Sequence, residues 1–143
     1  MRLTSYTDFA LRALIFTGAA RETVTIATIS AAYGISKEHL RKVVNQLAHL
    51  GYLITTQGRH GGLTLGKPAE KINLRAVVEA FETSQLAECF DKDTNTCPID
   101  GMCKLKHALR NAQQSFLKEL ENYHLSDLVK NPQLQVFVRQ RTG

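Results

Sequence analysis

Two short helical patterns parted by Gly34, a β-rich run that doubles back at Gly58–Gly62, and a long apolar stripe from Leu105 to Tyr123 predict a mainly α fold. The expected parts are a winged helix-turn-helix, a small β-hairpin as its wing, and a long C-terminal helix suited to dimerisation.

The first helix is expected from about Ser5 to Ala20. Tyr6, Phe9, Ala10, Ala13, Leu14 and Phe16 or Thr17 recur there at helical spacing, and Gly18 marks a weakening end. Ser5-x-x-Asp8 has the form of a capping box, and Asp8 with Arg12 that of an i,i+4 ion pair. Thr25 to Tyr33 forms a short amphipathic helix that stops at Gly34, and Ser36 opens the next, which runs to about Leu50 and ends at Gly51.

The period then changes from helical to alternating. Tyr52–Gln57 is β-rich, Gly58-Arg-His-Gly-Gly62 is a turn, and Leu63–Leu65 is a short return strand. Beyond Pro68 a helix is expected from Asn73 to about Thr83, with Leu74, Val77, Val78 and Phe81 on one side. From Cys103 the chain is helical for about twenty residues, with Leu105, Leu109, Ala112, Phe116, Leu120 and Tyr123 on one stripe. That stripe, flanked by charges, suits pairing with a second copy. Short helical pieces at Ser126–Val129 and Gln133–Val138 close the chain. The expected units are residues 1–83, the winged helix-turn-helix; 84–103, a loop bearing the cysteines; and 104–143, the dimerisation helix and tail.

With 143 residues, 43% of them hydrophobic, the chain can bury one core. Arg2, Asp8 and Arg12 interrupt the first apolar pattern, which is wrong for a signal peptide, and no apolar run reaches membrane-spanning length. A cytoplasmic location, with thiols kept reduced, is expected. The net charge of +5 is unevenly spread: residues 1–70 hold eight Lys/Arg and four Asp/Glu, residues 71–103 three and six, and residues 104–143 seven and three. Basic ends suit a polyanion, and the middle is acidic.

The only three cysteines, Cys89, Cys97 and Cys103, fall in that acidic stretch, among Asp91, Lys92, Asp93, Asn95, Pro98, Asp100 and Gly101. An odd number of thiols in one polar cluster points to a metal or iron-sulfur centre rather than a disulfide framework. A zinc site of the three cysteines and His107 is the other chemistry open at this stage, since Cys103 and His107 share a helix face at i,i+4.

Residues at the start of a recognition helix meet base edges in the major groove. Here they are Ser36, Lys37, Glu38, His39 and Arg41, with Lys42 placed for a phosphate, while Leu40, Val43, Val44, Leu47 and Leu50 face the core. Arg59 and His60, at the hairpin tip, suit a minor groove or a phosphate clamp on double-stranded DNA. The chain lacks a nucleotide-binding glycine loop, paired catalytic carboxylates and a nucleophile motif, so an enzyme is not expected.

Several segments together resemble the winged-helix iron-sulfur regulators, and within them the nitric-oxide-sensing repressors. They are Met1–Leu14 with Leu3-Thr-Ser-x-Thr-Asp8 and Leu11-Arg-Ala-Leu14, Tyr33-Gly-Ile-Ser36, Gly61-Gly-Leu-Thr-Leu-Gly-Lys-Pro68, and Gln113-x-Ser-Phe-Leu117 after the clustered cysteines. The resemblance covers nearly the whole chain. It implies a homodimer on an inverted-repeat operator, with Cys89, Cys97 and Cys103 as thiolates of a four-iron cluster, a two-iron cluster being the alternative. Asp8 matches the position that supplies a fourth ligand across the dimer, and Arg12 would relay its release when nitric oxide reacts. The seven residues between Cys89 and Cys97 make a longer gap than the family's. A regulator of iron or cluster supply, with His107 in the coordination shell, is the alternative within the same class.

Overall fold

The computed structural model describes residues 1–143. The chain runs through α1 (Ser5–Ala19), α2 (Ile26–Tyr33), α3 (Lys37–His49), β1 (Leu53–Thr56), β2 (Gly62–Leu65), α4 (Leu74–Phe81), α5 (Lys104–Glu121), α6 (Leu125–Val129) and α7 (Pro132–Thr142). The mainly α fold with a two-stranded wing is thus present, each element within a few residues of its expected bounds.

The helix ends follow from local chemistry. Thr25 and Ser36 cap α2 and α3, their hydroxyls accepting from the N–H groups of Thr28 (3.1 Å) and His39 (3.2 Å). Gly34 closes α2 at φ 66°, a left-handed conformation that glycine adopts without the penalty a Cβ brings, and so turns the chain into α3. The hairpin pairs Leu53 with Leu65 and Thr56 with Gly62 in antiparallel register. A single bridge from Val24 to Leu63 ties the wing to the segment before α2.

α1 is the central element, packed against α3, α4, α6, α7 and β2. Its Ala10, Ala13, Leu14 and Phe16 join Ile29, Leu40, Val43, Leu47, Leu53, Leu63, Ile72, Val77 and Phe81 in one buried cluster. Full burial of side chains such as Phe16 and Phe81 contributes about 1.5–3 kcal/mol each. Leu125, Val129 and Val138 belong to the same cluster, so α6 and α7 return from the far end of α5 to seal the core of the first unit.

Gly18 falls in the last turn of α1, where the weakening end was expected. The glycine also serves packing: a Cβ there would stand 3.1 Å from Val129 and 3.2 Å from Leu125, so it allows the close approach of α6. Two local expectations are corrected. Thr7 takes the buried place expected of Tyr6, which is 39% exposed. The N-cap of α1 is Thr4 rather than Ser5, and no Ser5–Asp8 capping box forms.

α5 differs from every other long helix in burying none of its 18 residues. It lies along α4, joined by Arg75 to Glu121 at 3.0 Å, and Leu105 remains 63% exposed. No helix is long and apolar enough to cross a membrane.

Candidate nucleic-acid interface and cysteine segment

Burial of one face of α3 fixes the other. With Leu40, Val43, Val44 and Leu47 turned inward, Lys37, Glu38, His39, Arg41 and Lys42 are all exposed. Ser36 is exposed too, and its hydroxyl is already engaged in capping the helix. Lys37 and Arg41 border a groove of about 320 Å³ shared with Thr25 and Ala27 at the start of α2, and with Thr55 and Gly62 of the wing. Two cations at a cleft between helix and hairpin can neutralise a phosphate backbone.

Arg59 and His60 stand exposed at the hairpin tip. The turn closes with the Gly61 N–H donating to the Gly58 carbonyl at 3.0 Å. A Cβ on Gly61 would lie 2.2 Å from the Thr56 carbonyl oxygen, so only glycine fits this crossing.

α1 touches the exposed helix directly. The Tyr6 hydroxyl donates to the Lys42 carbonyl at 3.3 Å, its ring lies 5.4 Å from that of Phe81, and the Phe9 ring is 6.3 Å from His39. Two turns along, Arg12 pairs with Asp8 at 2.9 Å, and both side chains are about two-fifths exposed. The same guanidinium lies 5.7 Å over the ring of Tyr33 at the end of α2. Burial pushes the Tyr33 phenol above its ordinary value, against the pull of Arg12.

The cysteine segment is an ordered loop with two 3-10 turns, Glu88–Phe90 and Asp100–Met102. All three thiols are free and half-buried. Cys89 sits in the first turn, Cys97 donates its N–H to the Asn95 side chain at 3.0 Å, and Cys103 is the residue before α5. Glu88 accepts from both the N–H (3.0 Å) and the hydroxyl (2.7 Å) of Thr96, which hold its carboxyl below the usual range. Asp91 is held low in the same way by the Asp93 N–H and the Thr94 hydroxyl. Phe90 lies under Arg110 of α5 at 5.6 Å, and Lys106 pairs with Asp100.

No three His, Cys, Asp or Glu side chains gather closely enough to hold a metal ion, so the three thiols do not meet as one set, nor do two of them meet with Asp8 or with His107. His107 is exposed on α5.

One anchor was not visible in the sequence. Glu82, just past α4, accepts from the Thr4 N–H (2.8 Å), the Thr4 hydroxyl (3.1 Å) and the Thr7 hydroxyl (2.8 Å), and also from Ser84. Burial pushes the Glu82 carboxyl up, but these hydrogen bonds together outweigh it and hold it below its ordinary value. The start of the cysteine segment is thereby tied to the first turn of α1. Its partners lie 75 and 78 residues away, and no local spacing marks such a pair.

A helix-turn-helix with an exposed cationic face and a glycine-built wing is the architecture of a winged-helix protein. The model of the Rrf2 family, described as iron-dependent transcriptional regulators, matches residues 3–131, and the chain belongs to that family. It is 48% identical over 134 residues to the HTH-type transcriptional regulator NsrR of Oceanobacillus iheyensis, covering 92% of this chain and 91% of that protein. It is 47% identical to the NsrR of Bacillus subtilis over 92% of each chain. Among solved structures, the oxidised form of Staphylococcus aureus CymR superposes with a TM-score of 0.72 at 18% identity, over 92% of this chain and 98% of that one. T. potens IscR superposes with a TM-score of 0.69 at 15% identity, over 91% and 87%. These two likenesses bear on the fold alone.

Proposed function

We propose that this regulator is a homodimeric repressor that binds an inverted-repeat operator and releases it when nitric oxide reacts with an iron-sulfur cluster. Cys89, Cys97 and Cys103 would hold the cluster, and Asp8 would reach it from the other subunit. The nearly full-length identity to two NsrR proteins supports this reading. The donor set fits as chemistry, since three free thiols on one segment supply three of the four ligands such a cluster takes and none is lost to a disulfide. The segment must draw together to present them. When bound, the cluster, proposed as a four-iron form, supplies iron that reacts with a small diatomic gas.

The observation that carries the mechanism is the placement of α1. The helix bearing Asp8 also touches the recognition helix through Tyr6 and Phe9. Asp8 pairs with Arg12 at 2.9 Å and Arg12 lies over Tyr33, so a carboxylate committed to a cluster would leave Arg12 with Tyr33 alone. That exchange of partners turns α1 relative to α2 and α3. In a dimer such a turn alters the separation of two recognition helices, which must match about one turn of DNA. Lys37, His39 and Arg41 would meet base edges, Ser36 and Lys42 the flanking backbone, and Arg59 and His60 the neighbouring groove.

The Asp8→Ala variant, prepared without oxygen, tests the assignment. Operator binding should persist while release by nitric oxide weakens several-fold or disappears. Release at the wild-type nitric oxide concentration would remove Asp8 from the switch.

A further inference from the structure

The residues immediately before Cys89 and Cys97 are bonded to each other. One carboxylate oxygen of Glu88 takes both the N–H and the hydroxyl of Thr96, at 3.0 and 2.7 Å. The intervening residues are closed on themselves as well. Asp91 caps Asp93 and Thr94, the Asn95 N–H donates to the Asp91 carbonyl at 3.1 Å, and the Asn95 side chain accepts from the Cys97 N–H. Phe90, stacked with Arg110, fastens this bracket to α5.

We infer that Glu88 is a positioning residue whose clamp on Thr96 sets Cys89 and Cys97 side by side as a ready pair of thiols, before any metal arrives. The inference deepens the cofactor reading and rests on it for its purpose. Closing a flexible loop costs entropy that grows with its length, and the interval between these cysteines is a long one. A clamp made beforehand removes that cost from the binding step, which is the general benefit of preorganisation. Both bonds go to a single charged oxygen, and charge-assisted bonds are the stronger kind. Glu88 need not touch a metal. It acts through the backbone of the two cysteines, as outer-shell partners orient ligands elsewhere.

The test uses the reduced, metal-free full chain carrying Cys103→Ala, so that only Cys89 and Cys97 remain, and phenylarsine oxide as a probe for paired thiols. The arsenical forms two As–S bonds, one to each sulfur; its oxygen leaves as water with the two thiol protons, and no oxidation state changes. Glu88→Ala in that background should weaken arsenical binding by about 10- to 100-fold. Glu88→Gln, which keeps a carbonyl oxygen for Thr96, should recover most of it. Far-UV circular dichroism should be unchanged in both variants, because Glu88 is exposed and outside the core. Equal affinity in Glu88→Ala and its parent would overturn the inference, as would a Glu88→Gln variant no better than Glu88→Ala. Anaerobic reconstitution of wild type with iron and sulfide is scored separately: failure to take up a cluster there would remove the cofactor reading while the arsenical result still decides the clamp.

Discussion

The carboxylate of Glu82 lies 2.8 Å from the hydroxyl of Thr7, one residue before Asp8. The same oxygen takes the N–H and hydroxyl of Thr4, so a charge at the end of α4 sits at the N-terminus of α1, where the helix dipole favours it.

Stability should therefore depend on pH through Glu82. Its carboxyl is held below the ordinary value, so the folded chain favours the ionised form. The contribution is fully present above the unfolded value of about 4.3 and is lost as pH falls through the lower folded value. Glu82→Ala should cost about 1.5–3 kcal/mol at pH 7, the range for hydrogen bonds to a charged group. Urea unfolding at pH 7 and again near pH 3 checks this: the gap between variant and wild type should shrink at the acid end.

Gly18 should resist enlargement. Val129 and Leu125 stand 3.1 and 3.2 Å from where its Cβ would be, and both belong to the core that α6 seals. Gly18→Val is expected to destabilise the chain by about 1–3 kcal/mol through overpacking, seen as a lower urea midpoint with an unchanged slope.

Lys37 and Arg59 should separate two kinds of DNA contact. Arg59→Ala is expected to weaken binding to all duplexes about equally and to lower the slope of log affinity against log salt by about 1. Lys37→Ala should in addition narrow the preference for operator over unrelated DNA, by about 1–3 kcal/mol if Lys37 reads a base. Fluorescence anisotropy over a salt series, with operator and scrambled duplexes, distinguishes the two.

What the sequence made legible was what repeats locally. The inward Leu40, Val43, Val44 and Leu47 determine which side of α3 is exposed, and Gly34 and Gly58–Gly62 announce their turns through φ and close approach. A glycine near a helix end can also admit a neighbour, and that second role of Gly18 was not legible because Leu125 and Val129 come far downstream. Neighbouring hydroxyls at Thr4 and Ser5 are likewise equal candidates for a cap until the long-range partner Glu82 chooses Thr4. The three cysteines were evident as a group, but their arrangement depends on the Glu88–Thr96 and Asn95–Cys97 bonds, for which no spacing rule exists.

We propose that the state of the cysteine segment governs operator binding. The most direct measurement is a nitric oxide titration of protein purified without oxygen, following visible absorption, iron and sulfide content, and operator affinity in the same samples. The expected result is a brown protein whose absorption bleaches in step with loss of DNA binding. A colourless, zinc-containing protein that holds its operator at every nitric oxide concentration would contradict it.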